Sequence, residues 1–185
     1  ERSMLVLRPA DVNEATQAWK LAMENDCTPT GLIFSRQNVN DLPSESGNRY
    51  KDALQAEKGA YIVKHSDGKP DVVLVASGSE VSTLFEGAQM LESQKGIKVQ
   101  IVSAISEGLF RNQPKDYQEA VLPTGVPTYG LTAGVPLTVR DLVGANGRVH
   151  GLDHFGYSAP YKVLDEKFGF NADFVYNDVC DYLNL

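Results

Sequence analysis

The sequence predicts an α/β protein of three layers, with helices on both faces of a mostly parallel open sheet. Three observations carry this. Short continuous apolar runs recur at residues 4–7, 31–34 and 72–76, the pattern of strands buried on both faces. Between them lie segments whose apolar residues repeat at helical spacing. Capping and turn residues separate the two kinds, and at 42% hydrophobic the 185 residues can bury one or two ordinary cores.

In chain order, the run at 4–7 is stopped by Pro9. Asp11 then stands three residues before Glu14, a capping pair for a helix. Val12, Ala15, Ala18, Trp19, Ala22 and Met23 follow one helical face and are the expected buried side. Pro29 cannot continue the helix, which ends near Asp26. With the run at 31–34 this makes a βαβ unit whose strands pair in parallel. Residues 37–58 are polar and aperiodic, and read as a linker between two domains.

The pattern restarts with a strand at 60–64, a turn at 67–70 and the best strand, 72–76. Val81, Leu84, Phe85, Ala88 and Leu91 mark the next helix, with Gly96 just past its end. Strands are expected at 99–103, around 126–131 and around 149–152. Helices are expected near 114–121, 160–168 and 171–183.

A formal charge of -7 excludes a general nucleic-acid surface, which needs clustered Lys and Arg. No apolar run approaches the roughly 20 residues of a membrane helix. Cys27 and Cys180 lack metal-like spacing and read as reduced thiols of a cytoplasmic protein. Glu1 to Met4 show no signal pattern, and the abrupt entry into an apolar run suggests a sequence that begins mid-protein. Processing or proteolysis is the alternative.

Chemistry has few candidates. Arg36, in Ser35-Arg36-Gln37, follows the second strand, and open α/β sheets gather ligands at strand carboxyl ends. Its planar fork suits phosphate or carboxylate; a surface ion pair is the competing reading. Gln37 either adds a hydrogen bond or faces water. Ser77-Gly78-Ser79-Glu80 could cradle an anion, but capping of the next helix by Ser77 or Ser79 is favoured. Asp153 and His154 are sequence neighbours, which rarely face each other, and His65 and His150 stand alone. All three histidines read as packing or solvated groups. Phosphate-loop, dinucleotide, zinc-protease and paired-cysteine motifs are absent.

Several stretches nonetheless resemble, in order, the end of a transketolase. These are Arg8-Pro9-Ala10-Asp11-Val12-Asn13-Glu14, Phe34-Ser35-Arg36-Gln37-Asn38, Val75-Ala76-Ser77-Gly78-Ser79-Glu80-Val81-Ser82, then Val121-Leu122-Pro123, Asp153 to Pro160 and Lys167-Phe168-Gly169-Phe170. The resemblance implies the end of a pyrimidine-binding domain over 1–56 and the transketolase C-terminal domain over 57–185. The Ser-Arg-Gln triplet favours transketolase over deoxyxylulose-phosphate synthase and the β subunits of two-oxo-acid dehydrogenases.

It further implies transfer of a two-carbon ketol unit from a ketose phosphate to an aldose phosphate in the pentose phosphate pathway. In that family the arginine at the position of Arg36 grips the substrate phosphate. Thiamine diphosphate with a divalent metal, Mg or Ca, serves the intact parent. The family's diphosphate domain, metal ligands, activating glutamate and catalytic histidines all precede the matched segment. No catalytic, cofactor or metal residue is therefore expected here, and the chain alone is expected to be inactive. Sugar phosphates and a homodimer are the implied partners, without nucleic acid or membrane. A stand-alone binding module, or one subunit of a two-chain enzyme, is the alternative. The sequence departs from the family at His154, Tyr157, Leu131-Thr132-Ala133-Gly134 and residues 135–148.

Overall fold

A computed structural model describes residues 3–185; Glu1 and Arg2, on which part of the reading of the start rests, lie outside the described residues. β1 (Leu5–Leu7), α1 (Val12–Glu24) and β2 (Thr30–Leu32) form the expected unit, and the two strands pair in parallel with Leu5 opposite Thr30. The capping pair is real. The Asp11 carboxylate accepts the Glu14 N–H at 2.8 Å, and the Glu14 carboxylate reaches back to the Ala10 N–H at 2.8 Å.

The buried face of α1 differs from the expected one. Glu14, Gln17 and Ala18 turn inward, while Val12, Trp19 and Met23 are exposed. The outward apolar side chains join Met4, Val6, Ile33 and Phe34, also exposed, and Trp19 stacks on Phe34 with centroids 6.3 Å apart. Spacing located an apolar face correctly, but among the described residues only Ala18 of that face is buried, and Val12, Trp19 and Met23 stay exposed. Glu14 turns inward because Arg49 and Tyr61 wait for it there.

Residues 37–48 are coil, largely exposed, as their polarity implied. The rest of the linker-like stretch is helical: α2 (Arg49–Ala53) runs into a 3-10 turn at Leu54–Lys58. Asn48 caps α2 by accepting the Lys51 N–H at 3.1 Å, and Ala53 and Ala56 are fully buried.

The second sheet holds β3 (Tyr61–Lys64), β4 (Val72–Ala76), β5 (Val99–Ser103), β6 (Thr128–Leu131) and β7 (Arg148–His150). Their spatial order is β3-β5-β4-β6-β7, and only β3 runs antiparallel to its neighbour. The helices are α3 (Glu80–Met90), α4 (Glu107–Arg111), α5 (Lys115–Val121), α6 (Arg140–Val143), α7 (Tyr161–Phe168) and α8 (Ala172–Leu183).

Alternation along β4 builds two cores. Val72, Leu74 and Ala76 pack with α3 and α8, and Val73 and Val75 pack with α4, α5 and α6. This is the expected three-layer arrangement. Gly87 of α3 lets α8 approach closely, since a Cβ there would lie 2.7 Å from Val175. The first core also takes in Leu7, Ala10, Ala18, Leu42 and Ala56, so the βαβ unit shares it.

Candidate functional site

Arg36 lies beyond the carboxyl end of β2 on an exposed excursion, residues 33–41. Its guanidinium has no ion pair among the described residues, so the competing reading as a surface ion pair finds no support. A local turn shapes the segment: the Ser35 hydroxyl accepts the Gln37 N–H at 3.2 Å and donates to the Gln37 side-chain oxygen at 3.1 Å. Gln37 is thus occupied beside Arg36.

The excursion is fixed at both ends. Ile33 N–H donates to Leu7 O at 2.9 Å, and Leu42 N–H donates to Asp11 Oδ2 at 3.1 Å. The Leu42 side chain is buried in the first core. Asp11 belongs to a buried polar network that spacing alone did not disclose. Arg49 Nε donates to Asp11 Oδ2 at 2.6 Å, and its Nη2 donates to Glu14 Oε1 at 3.2 Å and to the Tyr61 hydroxyl at 2.8 Å. Tyr61 in turn donates to Glu14 Oε1 at 2.7 Å.

One guanidinium thus serves two carboxylates, all three out of water. Burial pushes the Glu14 carboxyl up, against the Ala10 N–H, Tyr61, Ser103 and Arg49, which pull it back. Burial and the nearby Glu14 charge push the Tyr61 hydroxyl up as well. Burial would lower Arg49, but Tyr61 and Asp11 outweigh it and the guanidinium is held charged.

Arg8 joins the βαβ unit to the second sheet. Its N–H donates to Ile105 O at 2.9 Å, and its carbonyl accepts the Gly78 N–H at 3.0 Å. Its Nη1 donates to Ser77 O at 3.1 Å and to the Ser77 hydroxyl at 3.3 Å, while Nη2 lies 2.6 Å from Glu80 Oε2. That last contact is an ion pair that shields the Glu80 carboxylate from water. The capping expectation for Ser77 and Ser79 is therefore corrected. Ser79 stands at the N-cap of α3 without a side-chain bond, and Ser77 and Glu80 serve Arg8 instead. Gly78 is required: its φ is +67°, and a Cβ would press on the Arg8 side chain at 3.0 Å.

His150 bonds Phe168 O at 2.6 Å and packs against Phe170 and Phe174, and His154 bonds Phe155 O rather than Asp153; His65, expected to stand alone, instead bonds Glu45 at the surface. Cys27 is exposed, Cys180 is buried, and neither forms a disulfide. No helix among the described residues is long and apolar enough to cross a membrane. A cavity of about 1040 Å3 opens between β1 and the carboxyl ends of β4, β5 and β6, lined by Met4, Val6, Ala76, Ile105, Leu109 and Leu142 among others.

These geometries meet known ones. Residues 59–171, more than half the chain, match the family described as the transketolase-like TK C-terminal domain. The chain belongs to the transketolase family. Transketolase 2 of Vibrio parahaemolyticus is 41% identical over 182 residues, covering 98% of this chain and 27% of that protein. A transketolase structure from Leishmania mexicana superposes with a TM-score of 0.86 at 34% identity, over 98% of this chain and 25% of that one. A Pichia stipitis transketolase solved in complex with sedoheptulose-7-phosphate superposes with a TM-score of 0.85 at 31% identity, again over 98% and 25%. The chain thus spans about a quarter of the length of the transketolases it matches.

Transketolase membership implies thiamine diphosphate and a metal for the parent enzyme. Among the described residues no group of three or more His, Cys, Asp or Glu side chains is placed to hold a metal ion, and the Ser77–Ser79 turn is filled by Arg8.

Proposed function

We propose that this chain supplies the sugar-phosphate grip and the C-terminal domain of a transketolase. The parent moves a two-carbon ketol unit from a ketose phosphate to an aldose phosphate. The observation that carries this is Arg36: in a family of sugar-phosphate enzymes, it presents an uncommitted guanidinium beyond a parallel strand's carboxyl end. Its fork would hold two phosphate oxygens, orienting the sugar while the chemistry proceeds elsewhere.

Residues 1–56 are assigned to the end of the pyrimidine-binding domain and 57–185 to the C-terminal domain. The cofactor and metal sit on the parent's remaining chain, and the enzyme works as a cytoplasmic homodimer. The outward apolar face of Val12, Trp19, Met23, Ile33 and Phe34 supports this, since such a surface calls for a packing partner. The cavity beside β4–β6 supports a second reading, a binding module for a small molecule.

The test has two arms. The purified chain is assayed for ketol transfer alone and after mixing with a polypeptide covering the first three quarters of a transketolase. No turnover alone and turnover on mixing is expected; turnover by the chain alone overturns its assignment as an incomplete part. In the competent enzyme, Arg36→Ala should raise KM for phosphorylated donors and spare a non-phosphorylated one, as a contact of about 1.5–3 kcal/mol is lost. Equal loss for both donors refutes the phosphate role. A thermal-shift response to nucleotides but not to sugar phosphates favours the binding module.

A further inference from the structure

Residues 33–41 leave the body of the protein and return to nearly the same place. The outgoing end is tied by Ile33 N–H to Leu7 O, and the returning end by Leu42 N–H to Asp11 Oδ2. Leu7 and Asp11 are four positions apart on the link between β1 and α1. The first tie is backbone to backbone and indifferent to side-chain identity. The second hangs on one carboxylate.

That carboxylate has no freedom. Oδ1 accepts the Glu14 N–H, and Oδ2 accepts both Leu42 N–H and Arg49 Nε. Arg49 is held in turn by Glu14 and Tyr61. The Asp11 side chain is fully enclosed, so none of these donors can be replaced by solvent without opening the junction. Between the ties, among the described residues, the Ser35–Gln37 turn is the only hydrogen-bonded restraint, and Phe34 stacks on Trp19 near the outgoing end. Loosening of either end would reach Arg36 directly.

We propose that Asp11, locked by Arg49, is the positioning residue for Arg36: it staples the returning end of the excursion and so fixes where the guanidinium meets phosphate. This rests on the reading of Arg36 as the phosphate ligand. Asp11 itself touches no substrate and acts only through the loop. Closing a loop in advance removes ordering that binding would otherwise have to impose.

Asp11→Asn is the informative variant. It keeps the shape and one acceptor for the helix cap, but turns an amide N–H toward Leu42 N–H and Arg49. Trypsin cuts after Arg36, and Lys95–Gly96, at the exposed end of the helical segment Leu91–Lys95 in the second sheet's layer, is the internal reference. Asp11→Asn should speed cleavage at Arg36–Gln37 roughly tenfold with Lys95–Gly96 unchanged. No change at Arg36–Gln37, or equal rises at both bonds, overturns the staple. Should the variant not fold, hydrogen exchange in the unaltered chain decides: the Leu42 amide should exchange far more slowly than that of Asn40. Equal rates overturn the proposal.

In the competent enzyme Asp11→Asn should raise KM for phosphorylated donors severalfold with kcat nearly kept. If the loop loosens yet phosphorylated and non-phosphorylated donors suffer alike, the staple stands and the phosphate reading falls. If the loop loosens and neither KM changes, Asp11 does not position Arg36.

Discussion

The two sheets of this molecule are stabilised in different ways. The five-stranded sheet is covered on both faces, and β4 and β5 are buried along their whole length. The βαβ unit has two three-residue strands, and α1 turns glutamate and glutamine inward with tryptophan and methionine outward. It is fixed to its larger neighbour by Arg8, by the Arg49 network and by a few residues lent to the shared core. A unit built this way draws its stability from what it leans on, and keeps its apolar face for something else.

The largest expected effect strikes the network. Arg49→Met strands two buried carboxylates and should cost about 3–5 kcal/mol in urea unfolding. Exchange protection should vanish from α1 before β4 or β5. Simultaneous loss everywhere would show that the two regions are one cooperative body.

Leu74→Ala, in the centre of β4, should cost about 2–5 kcal/mol through its cavity, and α1 should lose protection along with the sheet. If α1 outlives β4, the dependence runs the other way.

A smaller effect is a slope. Burial raises Glu14, so the folded chain holds a proton that the unfolded chain has released once pH passes the ordinary carboxylate range. Stability should therefore fall as pH rises from that range to the raised value, and Glu14→Gln should flatten the fall. Identical slopes in urea titrations of the two chains would refute it.

The smallest effect on the chain itself is Trp19→Ser, within about 0.5 kcal/mol, because the side chain is exposed. The same change should weaken assembly with the rest of a transketolase, read by the polypeptide concentration giving half-maximal activity.

What the sequence disclosed follows the same division. Residues 72–76 were legible to the residue because a strand buried on both faces leaves an unbroken apolar run; 99–103 matched as well, although Gln100 and Ser103 break its run. The cap at Asp11 was legible because it is local. The inward turn of Glu14 and the helix at Arg49–Ala53 were not, because Arg49 lies 35 positions from Glu14 and 38 from Asp11, the carboxylates it serves. Polar residues in a polar stretch read as surface until their partner is known. Ser77 and Glu80 matched a capping box equally well, and only the arrival of Arg8 from across the chain gave them another task. Arg36 was visible through its place after a strand, but the staple that holds its loop was not.

The Arg8 junction also bears on how the chain is made. Arg8 needs Gly78 and Ile105 as backbone partners. At about 5–20 residues per second of synthesis, β1 waits roughly 5–20 s on the ribosome before its far anchor exists. β1 can pair with β2 long before that, but the join between the two sheets closes only once β5 and the residues just after it have been made.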